Sequence, residues 1–201
     1  MYEFCQKNRI TVSYGDSARG QIGIWKDGIR DDMSAAEIKQ VTERVFGRKA
    51  DHSIKYVFTV NPVVASGVRV LTGNDYKEYE SLWCKCHPET KDIGWLKEYF
   101  DEMAQEHVCI GVYGDGMLVS CTDAPGVPYM EKEVCEIGIN TLAEYRGRGY
   151  ASVACRRCIG EILCRGKVPL WSADICNRAS RGLAEKVGFA ELGEVITIKS
   201  F

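Results

Sequence analysis

Residues 136–151 read EIGINTLAEYRGRGYA, a strand-like stretch from Glu136 to Thr141 that leads into the tight turn Arg146-Gly147-Arg148-Gly149-Tyr150-Ala151. Beyond the turn, Ala151, Ala154, Cys155, Cys158, Ile159, Ile162 and Leu163 recur at i, i+3, i+4, i+7 spacing, the period of a helix that buries one face. The segment therefore reads as strand, glycine-rich turn and long helix, the helix running from Gly149 to about Cys164. A first helical turn leaves backbone N–H groups without intrahelical partners and carries the positive end of the macrodipole. Gly147 and Gly149 remove side chains that would hold a phosphate at a distance. Arg146 and Arg148 add charge and forked donors. The turn reads as an anion cradle, and a pyrophosphate is its natural guest.

Other glycine-rich turns fit less well. The dinucleotide fingerprint needs a third glycine, and Ala151-Ser152 stand where it would be sought. The P-loop needs Gly-Lys-Ser/Thr, which is missing. An ordinary strand–helix turn with solvated arginines stays open.

Outward from this segment the pattern is regular. Val68–Leu71 reads as a strand, followed by helices over Asp75–Cys86 (face Tyr79, Leu82, Trp83, Cys86) and Asp92–Gln105 (face Leu96, Tyr99, Phe100, Met103). Strands at Val108–Tyr113 and Met117–Cys121 are joined through Asp115-Gly116, a hairpin signal. Glu133–Thr141 is the strand before the turn. After the long helix come a strand at Pro169–Ile175, a helix at Ala179–Val187 stopped by Gly188, and a strand at Glu194–Lys199. The first 67 residues read as a small accessory unit, leaving 68–201 as the main domain. That unit has strand-like pieces at Ile10–Tyr14 and Gln21–Trp25, then a helix opened by the capping-box sequence Ser34-Ala35-Ala36-Glu37 and stopped by Gly47. A strand at Ser53–Val60 closes it.

Totals narrow the function classes. The 201 residues carry a formal charge of -2, which gives no general pull toward nucleic acid or anionic lipid, so an anionic ligand needs a local device. No apolar run approaches the ~20 residues that span a bilayer, and Met1–Lys7 lacks the form of a signal peptide. The expectation is a cytoplasmic protein without nucleic-acid or membrane partners. Of the ten cysteines, Cys84-Lys85-Cys86-His87 and Cys155-Arg156-Arg157-Cys158 resemble halves of a zinc site. Cys155 and Cys158 lie inside an apolar stripe, however, and Cys86 continues another, so core filling is expected and metal ligation is not. Cys109, Cys121, Cys135 and Cys176 read as strand residues rather than acyl carriers, and His52 and His87 as surface or turn residues.

The sequence Arg146-Gly147-Arg148-Gly149-Tyr150-Ala151 fits the Arg/Gln-x-x-Gly-x-Gly/Ala signature of the GNAT acetyltransferase superfamily. Downstream, Asn177-Arg178-Ala179-Ser180 through Gly188-Phe189 resembles that superfamily's Asn-x-x-Ala/Ser to Gly-Phe segment, and the element order from Val68 is similar to it. Pro169-Leu170-Trp171 and Leu183-Ala184-Glu185-Lys186 resemble a bacterial subgroup that includes a zwittermicin-resistance acetyltransferase. The resemblance implies an α/β (α+β) acyl-CoA N-acyltransferase fold: a mixed, mostly antiparallel sheet flanked by helices, here with an N-terminal α+β extension. It implies acetyl-CoA as co-substrate, no metal, and a small-molecule amine as acceptor, with a homodimer as an open assembly. Backbone groups of Ile139, Asn140 and Thr141 would pair with the pantetheine arm, and one of their N–H groups would face the thioester carbonyl. Arg146, Gly147, Arg148, Gly149, Tyr150, Ala151 and Ser152 would hold the pyrophosphate, with Asn177 and Ser180 close to the cofactor arm.

A lysine-like amine, with pKa ~10.4, costs roughly 4–5 kcal/mol to present unprotonated at neutral pH. A carboxylate that takes the proton would help. Glu136 is the candidate on the motif strand, with Glu131 and Glu133 as alternatives. Many members of the superfamily carry a tyrosine as general acid four residues before Gly-Phe, where this chain has Ala184. The general acid is therefore unassigned, with Tyr145 and Tyr150 as remote candidates, and a non-catalytic acyl-CoA-binding regulatory module stands as the alternative reading.

Overall fold

A computed structural model describes residues 1–7, 9–62, 65–128 and 130–198. Among these the chain forms β1 (Tyr2–Gln6), β2 (Arg9–Ser13), α1 (Ile22–Asp27), α2 (Ala35–Phe46), β3 (Asp51–Phe58), β4 (Arg69–Val70), α3 (Tyr76–Cys86), α4 (Leu96–Gln105), β5 (Ile110–Gly114), β6 (Met117–Asp123), β7 (Val134–Glu136), β8 (Gly138–Thr141), α5 (Tyr150–Cys164), β9 (Val168–Asp174), α6 (Arg178–Val187) and β10 (Phe189–Thr197). The fold is mixed α/β with mostly antiparallel strands. From β4 onward the element order is the one read from the sequence, except that the single strand expected at 133–141 is divided in two. Lys199, at the end of the expected last strand, lies outside the described residues. No helix among the described residues is long and apolar enough to cross a membrane.

The chain divides into two compact units: Met1–Tyr56, Ser172–Arg181 and the residues from Glu191 in the first, Val57–Trp171 and Gly182–Ala190 in the second. The sequence reading puts its one boundary at residue 67. The division returns later in the chain because β1 pairs antiparallel with β10, Tyr2 against Thr197 through Cys5 against Glu194. Nothing in local periodicity announces a pairing across so long a separation.

In the first unit, β2 and β10 flank β1. Helix α2 starts as its sequence predicts: Ser34 Oγ accepts from Glu37 N–H at 3.3 Å, Glu37 Oε2 accepts from Ser34 N–H at 2.8 Å, and Gly47 ends the helix at φ 64°. Residues 22–27 form a helix, not the strand expected over 21–25, since so short an apolar run carries no decisive period. Trp25 from that helix packs with Ile38, Val41 and Ile196. Its indole donates to Thr42 Oγ1 at 2.9 Å, and the Thr42 hydroxyl lies 2.9 Å from Glu3 Oε1. Glu3 is fully buried, and desolvation raises its pKa from 4.5 to about 7.

The second unit is built on a four-stranded sheet in the order β4-β5-β6-β8. Asp115 (φ 51°) and Gly116 (φ 77°) turn the β5–β6 hairpin in the left-handed conformation that such two-residue turns require. Helix α5 packs on β5, β6 and β8, burying Ala154, Cys155, Cys158, Ile159 and Ile162. Helices α3 and α4 pack together, with the Tyr79 and Phe100 rings 4.6 Å apart. Helix α4 begins at Leu96, not Asp92, because residues 92–95 form a turn in which Asp92 Oδ1 accepts from Gly94 N–H at 3.1 Å.

The raised pKa of Glu3 gives a testable sign. A carboxyl whose folded pKa lies above its unfolded value favours folding when protonated, and that contribution is lost as pH rises through about 7. Glu3→Gln, which keeps an acceptor for Thr42, is expected to be the more stable protein at pH 8, on the order of 3 kcal/mol by the size of the shift. The difference should close as pH falls to 4.5. Urea unfolding at several pH values measures it; a gap that widens toward acid would refute the assignment.

Candidate active site

The site is set by one change of partner in the strand that precedes the turn. Up to Glu136 the chain pairs parallel with β9, Glu136 opposite Leu170, and Ile137 N–H still donates to Leu170 O at 2.9 Å. From Gly138 it pairs antiparallel with β6, Gly138 opposite Asp123 and Thr141 opposite Ser120. Among the described residues, β8 is the last strand of its sheet, with a strand neighbour on one side only.

Antiparallel register determines which amides that edge offers. Leu142 N–H donates to Val119 O at 3.0 Å, so the hydrogen-bonded pairs are 119/142, 121/140 and 123/138. The main-chain groups of Ile139 and Thr141 therefore face the open edge, whereas those of Asn140 face β6. Of the three residues expected along a pantetheine arm, Ile139 can offer its backbone, whereas the Thr141 N–H is directed to the Cys86 sulfur. Asn140 contributes a side chain, whose Oδ1 lies 2.9 Å from His87 Nε2. At the far end of the strand, Arg146 Nε donates to Thr141 O at 3.1 Å.

The turn itself is a run of open donors. Arg146 N–H is taken by Ala143 O at 3.3 Å, and Val153 N–H by Gly149 O at 3.2 Å. Between them, among the described residues, the amides of Gly147, Arg148, Gly149, Tyr150, Ala151 and Ser152 meet no protein acceptor, and no side chain caps α5. The cradle thus starts one residue later than the sequence suggests. Gly147 (φ 76°) and Gly149 (φ 90°) are left-handed, and a Cβ built at either meets nothing within 4 Å. The space over the amides is open. Arg148 lies over the Tyr145 ring at 5.0 Å.

Residues 100–197 match the family model described as GNAT acetyltransferase. This segment belongs to the GNAT acetyltransferase family. A curated relative, the uncharacterized N-acetyltransferase YdfB of Bacillus subtilis (strain 168), is 36% identical over 83 residues, which are 41% of this chain and 30% of that protein. The chain therefore spans less than a third of this relative's length in the match. Two solved structures share the fold. A GNAT-family acetyltransferase from Colwellia psychrerythraea gives a TM-score of 0.66 at 12% identity, covering 94% of this chain and 75% of that one. A GNAT-family protein from Novosphingobium aromaticivorans gives 0.57 at 22% identity, covering 76% and 66%.

Within the GNAT segment Glu136 is half-buried on β7, whereas Glu131 and Glu133 are exposed outside the strand. Asn177 and Ser180 belong to the first unit, where Asn177 Oδ1 accepts from Ser180 N–H at 3.1 Å and so caps α6. Ala184 is fully buried. The Tyr145 hydroxyl donates to Asp115 Oδ2 at 2.7 Å, which raises its pKa, and the Tyr150 hydroxyl lies beside Gly114. Both tyrosines thus serve the β5–β6 hairpin.

Two residues that the sequence reading passed over stand out. His87, read as a turn residue, closes α3 with its ring stacked on Trp83 at 4.4 Å and hydrogen-bonded to Asn140. Asp123 ends β6, and its carboxylate accepts from the Tyr99 hydroxyl and from Gly138 N–H. Desolvation nevertheless raises its pKa from 3.8 to about 6. A carboxylate at the end of an apolar strand, opposite a glycine, was the available signal.

A Cβ built at Gly138 falls on the Asp123 carboxylate. Gly138→Ala should cost roughly 1–3 kcal/mol through this overlap. Adding Asp123→Ala should recover part of that loss, giving a coupling energy in a denaturation double-mutant cycle. Additive losses would place the strain elsewhere.

Proposed function

We propose that the chain is an acetyl-CoA-dependent N-acetyltransferase that passes the acetyl group directly to a primary amine of a small molecule. One observation carries the reading: six open amides at Gly147–Ser152 lie a few residues beyond an edge strand whose Ile139 amide is also open. Coenzyme A suits that order of donors. Its pantetheine arm is an extended chain bearing amides, able to add to a strand edge, and its pyrophosphate suits a helix N-terminus.

Chemistry follows from the same donors. An edge N–H aimed at the thioester oxygen stabilises the charge that develops as nitrogen adds. Holding amine against thioester removes much of the entropic barrier. The amine must lose a proton, at a cost of roughly 4–5 kcal/mol for a lysine-like group, and a carboxylate in the site would meet that cost. The leaving group is a thiol; with a pKa about 8.5 for an ordinary thiol, its anion departs without a dedicated acid. That is consistent with buried Ala184 and with tyrosines engaged at the hairpin. The narrower likeness to the zwittermicin-resistance subgroup rests on Pro169-Leu170-Trp171 and Leu183–Lys186 alone.

Two measurements test the reading. Coenzyme A at ~100 times its dissociation constant should stabilise the protein by ~2.7 kcal/mol in thermal unfolding. Gly149→Glu should abolish that shift by placing a carboxylate over the cradle, with the fold retained. Normal coenzyme A affinity in this variant would overturn the assignment. Release of free thiol from acetyl-CoA with primary amines should accompany binding; binding without release on any amine would indicate a non-catalytic acyl-CoA-binding module.

A further inference from the structure

The sheet face beneath α3 and α4 carries a group of side chains for which the reading above has no use. Asp123 and Asn140 share this face with Gly138, one or two residues from the open amide of Ile139. The Asp123 carboxylate is held from two sides, by the Tyr99 hydroxyl of α4 and the Gly138 N–H, with the His87 imidazole near enough to favour its charged form. An aromatic wall continues from it. His87 stacks on Trp83, Trp83 meets Trp95 edge-on at 5.5 Å, and Trp95 meets Tyr99 edge-on at 5.7 Å. Trp95 is 48% exposed, yet its indole N–H is pinned to Asp92 O at 3.2 Å. A large ring fixed by its own loop and left half in water does little for the core. Joined through Tyr99 to a held carboxylate, it makes a receptor for an organic cation, since aromatic faces attract ammonium groups.

We propose that Asp123, with Trp83, His87, Trp95 and Tyr99, receives the ammonium group of the acceptor and that Asp123 takes its proton, His87 and Tyr99 acting as positioning residues. This rests on the acetyl-transfer reading and adds the acceptor subsite: a compact primary ammonium presented to an aromatic wall. The proton passes from nitrogen to an Asp123 oxygen, and the freed lone pair forms a bond to the thioester carbon. The carbon–sulfur bond breaks, and sulfur leaves with its electron pair. The second nitrogen proton, acidic once the C–N bond forms, reaches the thiolate through solvent, and Asp123 returns its proton to solvent.

The charge of Asp123 is set by desolvation against the Tyr99 hydroxyl of α4, the His87 imidazole after α3 and the Gly138 N–H, and Tyr79 of α3, Cys121 of β6 and Cys155 and Cys158 of α5 in turn feel that charge. Burial keeps the Tyr79, Tyr99, Cys121 and Cys155 protons on through neutral pH.

The test uses the full chain with acetyl-CoA and three probe amines, n-butylamine, putrescine and lysine methyl ester, reading thiol release from pH 5 to 10. With a working carboxylate, kcat/KM rises to about pH 6 and then levels, because the ionised enzyme accepts the ammonium form directly. Asp123→Asn should lose roughly 100-fold at pH 7 and instead climb tenfold per pH unit toward the pKa of the amine. Coenzyme A affinity should be kept, and the unfolding midpoint should not fall. Trp95→Ala should raise KM roughly 3- to 30-fold with kcat little changed. This arm also carries the test if Asp123→Asn does not fold. Wild-type coenzyme A binding and turnover with an unchanged profile in Asp123→Asn would sink this inference alone. Loss of the plateau in Glu136→Gln, with Asp123→Asn unaffected, would do the same in favour of Glu136. Thiol release with none of the three amines would overturn both readings, and wild-type protein that binds no coenzyme A would overturn the parent reading itself.

Discussion

A strand can satisfy its backbone on two sides, and between residues 134 and 141 this chain spends each half on a different partner. The first half belongs to β9, the second to β6, and the exchange takes place at Ile137, whose N–H is the last to reach Leu170. Past that point the outer side of β8 has no strand neighbour among the described residues. Unpaired backbone donors in a half-buried setting cost free energy unless something accepts them. Arg146, folding back onto Thr141 O, answers the last carbonyl, the Cys86 sulfur takes the Thr141 amide, and the Ile139 amide is left.

The same constraint explains the glycine at the exchange. Asp123 and Gly138 face each other as a hydrogen-bonded pair, and the space a side chain at 138 would take is filled by the Asp123 carboxylate. The carboxylate thereby takes a main-chain amide as well as the Tyr99 hydroxyl, two hydrogen bonds that favour its charge while desolvation opposes it. Desolvation wins, and the pKa is raised to about 6. Close backbone approach, a partly buried charge and an edge strand are thus one arrangement.

Much of this was written in local signals. The capping box at Ser34, the Asp115-Gly116 hairpin and the apolar stripe of α5 each follow from a few neighbouring residues, and each forms as read. The run of open amides at 147–152 was legible for the same reason, since its donors, glycines and helix are contiguous. What escaped depended on distance in sequence. The pairing of β1 with β10 joins the two ends of the chain, and the division of 133–141 depends on which strand lies beside each half. His87 and Asp123 are ordinary one at a time and become informative only when α3, α4 and β6 bring them together. The misread helix at 22–27 is of another kind, a run too short for its period to decide.

The turn is also held stiff, and amides collect an anion well only if they need no reorganisation to do so. Net charge does not supply that here, at -2 for the whole chain. Rigidity comes from the neighbouring hairpin. Tyr145, just before the turn, anchors its hydroxyl on Asp115; Tyr150, just after, lies against Gly114; Arg148 within the turn rests on the Tyr145 ring. Gly114, Asp115 and Gly116 form the tip of the β5–β6 hairpin, so the turn is clamped on both sides to the tightest bend of the sheet. The two tyrosines that flank the glycines therefore brace the turn against the hairpin.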